Sequence, residues 1–258
     1  MNKKRKKIKP FFTIITPTKN SKNDLKKTIL SLKQQKFKNF EHIIIDSNSV
    51  DGTAKIFKRN KNNKIFFFSQ KDKGIYDGIN KGIKKAKGNV IGTLNAGDTY
   101  TKSALQIVHK YFKKNDIEFL FGAVKKDKLK FGFYPQKISW SFDFYPAHSS
   151  GFFIKNTAQK KIGYYNLKYK CSSDYDLFYK MIKKYKMKGL ATKKTEITGK
   201  FQLGGFSQQV TLLQHIIEET RIRYDNNRNK LVVLVILILR LIKNFYKLNI
   251  LKSFKNEI

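Results

Sequence analysis

Residues 72–98 read DKGIYDGINKGIKKAKGNVIGTLNAGD, and the order of signals within them decides the fold. Ile79 and Ile83 lie one turn apart, so residues 75–87 are expected to form a helix with one apolar face. Gly74 stands just ahead of it, where a residue without a side chain permits close backbone approach to the helix start. Gly88 ends the helix, and residues 89–94 (NVIGTL) then read as a short apolar strand. A polar turn, Asn95-Ala96-Gly97-Asp98, follows the strand without a gap.

The same alternation runs upstream. Residues 11–16 are apolar and β-branched, and residues 22–35 carry Leu25, Ile29 and Leu32 at helical spacing, with Asn20 or Ser21 available as the cap. Strands are expected at 41–46 (EHIIID), 64–69 (KIFFFS) and 117–121, and helices at 49–59 and 101–113. Short apolar strands alternating with helices mean a parallel sheet covered on both faces. Such sheets bind ligands in the crevice at the carboxyl ends of their strands. The residues to inspect are therefore Pro17 to Asn20, Asp46 to Ser49, and Asn95 to Asp98. After Gly122 the alternation lapses: a β-hairpin is expected over 124–134, an aromatic-rich stretch to Pro146, a strand at 152–154, a helix at 173–186 and a strand at 190–197. A loop at Gly204-Gly205 precedes helices at 208–223 and 229–246. No internal repeat and no low-complexity linker marks a domain boundary.

The 258 residues include 55 Lys or Arg and 18 Asp or Glu, a formal charge of +37. With 40% hydrophobic and 14% aromatic residues the chain can build a core, which excludes a disordered basic tail. A single cysteine, Cys171, excludes a disulfide framework and a Cys-based zinc knuckle. So basic a chain is expected to meet polyanions, yet only six of its basic residues are Arg, and the Lys, Asn, Ile and Phe excess also fits the codon bias of an AT-rich genome. The basic start (Lys3 to Lys9) precedes an apolar run too short for a signal-peptide core, so a cytoplasmic chain is expected. Near the other end, residues 231–239 are continuously apolar and flanked by Lys230, Arg240, Lys243 and Lys247. The run is too short to span a bilayer. It reads either as an interfacial helix on an anionic leaflet or as a helix that closes the core or a dimer contact.

No dinucleotide fingerprint, phosphate loop or Ser nucleophile elbow occurs. The four histidines (His42, His109, His148, His215) form no metal-ligand pair at helical spacing. What remains is a set of carboxylates at strand ends and a helix start: Asp46, Asp51, Asp98, Asp174 and Asp176. In so basic a chain they are not ordinary solubilising surface. Helix capping is the alternative for Asp46, Asp51 and Asp174 (the last shared with Ser172), a first-turn position for Asp77, and a plain turn for residues 95–98.

The segments TIITPTKNS, IIIDSNSVDGT, DKGIYDGINKGIKKAKGNVIGTLNAGD and SSDYDLFYKM, in this order, resemble the family 2 glycosyltransferases, and among them transferases of surface-polysaccharide (colanic-acid-type) assembly. The resemblance is dense over 11–98, sparser to about 209 and absent beyond. It implies an α/β GT-A fold, a Rossmann-like mixed sheet flanked by helices. The expected division is a basic arm at 1–10, a GT-A domain at 11–209 and a C-terminal helical, membrane-associating segment at 210–258. Within the domain, 11–122 would bind the nucleotide sugar and 123–209 the acceptor.

The resemblance further implies an inverting, metal-dependent transfer of a hexose-type sugar from a nucleotide-diphosphate sugar, UDP-linked, to a hydroxyl of a glycan or lipid-linked acceptor. Pro17, Thr18, Asp46 and Ser47 would hold the nucleotide. Ser47 stands where members often have a second Asp. Asp72, Lys73 and Asp77 would lie beside the donor, as would Asn95, Ala96 and Gly97. Asp98 would hold Mn²⁺ or Mg²⁺, hard ions that take oxygen ligands and bridge diphosphates. Gly97 replaces a more usual acid there. Asp174 matches the family's catalytic base, with Ser173 in place of a common Glu and Asp176 as runner-up; His148 is a candidate contact to acceptor or leaving phosphate. A peripheral place at the inner face of a membrane follows, with no nucleic-acid partner and the oligomeric state left open. Two rivals stand beside it: a basic nucleic-acid-binding protein, for which no Arg–aromatic module is present, and an inactive GT-A scaffold.

Overall fold

Phe12 and Ile14 of the first strand, β1 (Phe12–Thr18), are buried on one side of a sheet and Ile15 on the other, so the strand is covered on both faces. The computed structural model describes residues 9–140, 145, 149–204 and 210–247. Along the chain β1 is followed by α1 (Lys22–Lys33), β2 (Phe40–Asp46), α2 (Thr53–Asn60), β3 (Ile65–Ser69), α3 (Ile75–Lys85), β4 (Val90–Thr93), β5 (Thr99–Tyr100), α4 (Ala104–Lys114) and β6 (Phe119–Phe121). The second half adds β7 (Ala123–Lys125), β8 (Leu129–Lys130), α5 (Lys137–Trp140), β9 (Phe152–Lys155), α6 (Asn156–Ile162), α7 (Ser173–Tyr179), β10 (Gly189–Ala191), β11 (Ile197–Lys200), α8 (Leu212–Asp225) and α9 (Lys230–Lys243).

A seven-stranded sheet has the order β10-β6-β9-β4-β1-β2-β3, and a four-stranded sheet the order β5-β11-β7-β8. In the large sheet β3, β2, β1 and β4 are parallel, whereas β9 runs antiparallel to both β4 and β6. The sheet is therefore mixed. One face packs Ile15, Ile91, Phe119, Phe121, Phe152 and Ile154 against α3 and α7. The other packs Phe12, Ile14, Leu120 and Phe153 against α1 and α4. The period-2 alternation of these residues is what a strand buried on both sides requires. Gly82 lets α3 lie close on β1, because a Cβ there would come within 2.4 Å of Ile15 Cγ2.

The expected strands and helices of residues 11–121 form within a few residues of their sequence-based limits. Ser21 occupies the N-cap of α1 but makes no side-chain cap bond. Asp51 caps instead: Oδ2 accepts from the Lys22 N–H at 2.9 Å while Oδ1 accepts from the Thr53 N–H and hydroxyl. One carboxylate thus serves the starts of α1 and α2, and these bonds hold it below the usual carboxylate range against the opposing effect of its slight burial.

Three features depart from sequence expectation. The strand expected at 190–197 is two strands in different sheets, because a turn closed by Glu196 N–H to the Lys193 carbonyl (2.9 Å) separates β10 from β11. The helix expected at 173–186 is α-helical only to Tyr179 and continues as a π-helical turn, Lys180–Lys184. The third is a set of short elements that the sequence does not lead one to expect: strand β5 and helices α5 and α6. Among the described residues no helix is long and apolar enough to cross a membrane.

Candidate active site

The carboxyl ends of β1 and β4 open on the same edge of the sheet, since the two strands are parallel neighbours. A cleft of about 1060 Å³ lies there. Pro17 and Thr18 reach it from the end of β1, Asp72 and Gly74 from the approach to α3, and Asn95, Ala96 and Asp98 from the turn after β4. Asp174, in the first turn of α7, faces the same cleft. Residues 17, 72, 95–98 and 174 are thus brought together by the fold.

The Asn95–Asp98 turn is built for close packing. Gly97 adopts φ +99°, which disfavours any side chain, and its N–H donates to Thr28 Oγ at 3.0 Å. Asp98 is only 2% exposed. Its Oδ1 accepts from the Gln202 N–H at 3.0 Å and its Oδ2 from the Ser150 hydroxyl. Burial raises its pKa to about 6, opposed by those bonds and by the positive charge of Lys126. Gln202 also donates through Nε2 to Asp24 Oδ1 at 2.9 Å, so a second carboxylate stands at the edge of this turn.

Two buried side-chain oxygens at the cleft, Thr18 Oγ and Asn95 Oδ1, have no hydrogen-bond partner among the described residues. Unpaired buried polar atoms cost free energy unless a ligand completes them. Among the described residues no group of three or more His, Cys, Asp or Glu is arranged to hold a metal ion. Asp98 and the Asn95 amide oxygen are nevertheless hard donors of the kind Mn²⁺ and Mg²⁺ take. These two side chains would hold a divalent ion, and a bound diphosphate would have to supply its other ligands.

Asp174 has one engaged oxygen and one free. Oδ1 accepts from the Tyr76 hydroxyl at 3.2 Å and the Tyr175 N–H at 2.9 Å, while Oδ2 carries no hydrogen bond among the described residues. Burial raises its pKa to about 6, and the negative charge of Glu219 adds to the rise. Ser173, its neighbour, is fully buried, and its hydroxyl has no partner among the described residues.

Several expected contacts lie elsewhere. Asp46 is 1% exposed and outside the cleft wall. Its oxygens accept from Ser49 Oγ (2.5 Å), the Ser49 N–H (3.0 Å) and Ser69 Oγ (2.7 Å), which ties the β2–α2 loop to the end of β3. Ser47 is buried beside it and donates its N–H to the Thr18 carbonyl. Lys73 is exposed and donates its N–H to Asp77 Oδ2 at 2.9 Å, and Asp77 also pairs with Lys81 at 3.2 Å. Asp77 is thus a first-turn residue of α3 serving that helix. Gly97 shapes the turn rather than the wall. Asp176 is turned away, held by Lys180 and by Asn226 of α8. His148, Pro146 and Gly205 lie outside the described residues.

Sequence reasoning missed the C-terminal contribution. Val210, Leu212, His215 and Glu219 line the cleft, so the division expected at 209/210 falls inside the site. Glu218 of α8 accepts from the N–H groups of Lys170 (2.8 Å), Cys171 (2.9 Å) and Ser172 (3.0 Å) and from the Cys171 thiol (3.1 Å), fixing the loop that delivers Asp174. Glu219 is buried between Arg240 (2.6 Å) and Arg223 (3.7 Å). Lys126 and Lys130 of the β7–β8 hairpin also line the cleft, and the charge of Lys126 is felt by both Asp98 and His215. The sequence signal for α8 was its capping box, Thr211 with Gln214.

A family model, glycosyl transferase family 2, matches residues 13–185. An uncharacterised glycosyltransferase of Rickettsia typhi is 26% identical over 206 residues, covering 70% of this chain and 61% of the relative. The PGL/p-HBAD biosynthesis glycosyltransferase of Mycobacterium tuberculosis is 28% identical over 174 residues, covering 65% of this chain and 68% of its own length. Among solved structures, Staphylococcus aureus TarS 1–349 in complex with UDP-GlcNAc superposes with a TM-score of 0.67 at 16% identity, over 91% of this chain and 72% of that one. The mannosyltransferase PcManGT of Pyrobaculum calidifontis, in complex with GDP-Man and Mn²⁺, gives 0.62 at 13% identity, over 93% and 76%. At such identities the likeness establishes the fold, which is GT-A.

Proposed function

The chain belongs to glycosyl transferase family 2, and we propose that it transfers a sugar, with inversion, from a nucleotide-diphosphate donor to a hydroxyl of a glycan or lipid-linked acceptor. The observation that carries this is the meeting of Asp174, with its free Oδ2, and the Asn95–Asp98 turn in one cleft. The UDP-GlcNAc in the TarS complex supports a UDP-sugar donor.

In this proposal the nucleotide lies over Pro17 and Thr18, and the diphosphate lies between the Asn95–Asp98 turn and Lys126. Asp46 acts at one remove, by holding the loop beside Thr18. A divalent ion held by Asp98 and Asn95 would supply positive charge to the leaving diphosphate. Asp174 Oδ2 takes the proton of the acceptor hydroxyl as that oxygen bonds to the anomeric carbon. The bond from that carbon to the diphosphate breaks on the opposite side, and the nucleoside diphosphate leaves with the electron pair. A carboxylate raised to about 6 is a better base than an ordinary Asp and is still ionised at neutral pH.

The test is a thermal-shift panel of nucleoside diphosphates and their sugars, with and without Mn²⁺. A ligand at about 100 times its Kd should add about 2.7 kcal/mol of stability. Asp98→Ala should remove the Mn²⁺-dependent part of that gain. A panel without any shift would refute the proposal.

A further inference from the structure

Helix α9 carries two stripes. Val233, Ile236 and Arg240 are buried against the rest of the protein. Leu231, Leu234, Val235, Ile238, Leu239 and Ile242 recur at i, i+3, i+4, i+7, i+8 and i+11, and all are exposed, from 41% at Leu239 to 73% at Leu231. The outward stripe is thus apolar along its whole length, the reverse of an ordinary surface helix. Phe245 and Tyr246 extend it, 57% and 81% exposed. Single exposed apolar residues need no explanation, but a continuous stripe of this kind marks an interaction surface.

We propose that the outer face of α9 is a docking surface for an anionic lipid bilayer, lying in the headgroup plane. A helix of 14 residues is about 21 Å long, too short to cross the hydrocarbon core. Charge selects the occupant. From Lys230 to Lys247 there is no acidic residue, and the whole chain carries +37. A second copy would bring two like-charged faces together with no carboxylate on either helix to pair the lysines. An anionic leaflet offers the complementary sign, attracting Lys230 and Lys247 while the apolar stripe enters the acyl boundary. The aromatic pair at the helix end suits the same depth.

The surface lies one helix from the cleft. α8 packs between α9 and the site, lining it with Leu212, His215 and Glu219, and Arg240 of α9 bonds to Glu219 at 2.6 Å. Docking would therefore place the cleft within reach of a membrane-borne acceptor. That consequence rests on the transferase proposal, whereas the docking itself does not.

The experiment is co-sedimentation of the full chain with phosphatidylcholine vesicles, with and without about a third phosphatidylglycerol. Binding should need the anionic lipid and weaken as salt is raised to about 0.5 M. The variant Leu234→Gln/Ile238→Gln/Ile242→Gln should lower partitioning about tenfold or more while keeping its melting temperature, because all three side chains already face solvent. Lys230→Gln/Lys247→Gln should reduce binding to anionic vesicles alone. Failure to bind anionic vesicles, or unchanged binding by the Gln triple variant, would overturn the proposal. So would a concentration-dependent dimer, measured by light scattering, that the triple variant abolishes. No nucleotide is present, so vesicle binding stands or falls separately from the thermal-shift panel.

Discussion

The Tyr76 hydroxyl lies 3.2 Å from Asp174 Oδ1 and 3.0 Å from the Cys171 carbonyl, joining the start of α3 to the start of α7 across 98 residues of sequence. Its ring stacks on Tyr165 at 5.5 Å between centroids. The contact engages Oδ1 and leaves Oδ2 without a hydrogen bond among the described residues. Burial, the charge of Asp174 and the nearby Tyr165 together push the Tyr76 pKa well up, so the phenol stays protonated and remains a donor.

Replacing Tyr76 by Phe should keep the stack and remove only the donor. A hydrogen bond to a carboxylate is worth about 1.5–3 kcal/mol, so kcat should fall about tenfold or more with the donor KM little changed. Losing a bond that favours the charged form also moves the Asp174 pKa up, and the acid limb of the kcat profile should shift to higher pH. An unshifted profile would show that Tyr76 does not position the base.

Asp174→Asn should lower kcat by about 10²–10⁴ while leaving the nucleotide thermal shift in place. In the unaltered protein, activity should rise with pH through about 6 as the carboxylate ionises. Burial is the main cause of this value; the bonds from the Tyr175 N–H and from Tyr76 on α3 oppose it, and the charge of Glu219 on α8 adds to it. The sign for stability is opposite. A carboxylate whose folded pKa lies above its unfolded value of 3.8 makes the native state less stable as pH rises through that window. Asp174→Asn should therefore raise stability at pH 8 by roughly 1–2 kcal/mol, and by less at pH 4, as thermal unfolding at the two pH values would register.

Glu218→Ala should unfasten the loop 170–172. Three backbone N–H groups and the Cys171 thiol lose their acceptor. The expected cost is about 2–3 kcal/mol, measured by urea denaturation. Partial burial raises the Glu218 pKa, but the bonds from Cys171, Lys170 and Ser172 outweigh it and hold the value below the ordinary 4.5. This contribution is present above that pH and disappears as pH falls through the folded value, so the variant and the unaltered chain should converge in acid.

How much of the site was legible depended on where a residue's partners lie. Asn95, Asp98 and Asp174 sit at a strand end and a helix start, where local signals mark the position. Asp46 carries the same local signal, yet Ser49 and Ser69 engage its carboxylate, and Ser69 belongs to another strand. Asp51, from the same loop, turns out to cap a helix earlier in the chain. His215 is one of four scattered histidines in sequence, and only the packing of α8 against α7 brings it to the cleft.

The sequence by itself determined the alternation of strand and helix through residue 121, the edge of the sheet where chemistry sits, and the acids at its corners. These follow from periodicity and from residues acting within a few positions of themselves. Only the tertiary structure decided that β9 enters antiparallel between β4 and β6, that residues 190–197 divide between two sheets, and that α8 lines the site with α9 packed behind it. Such choices are made by contacts between segments far apart in the chain, as when Glu219 is buried between Arg223 and Arg240. The charge of α9 was plain from the start. Which of its faces meets solvent was settled by the three residues, Val233, Ile236 and Arg240, that pack inward.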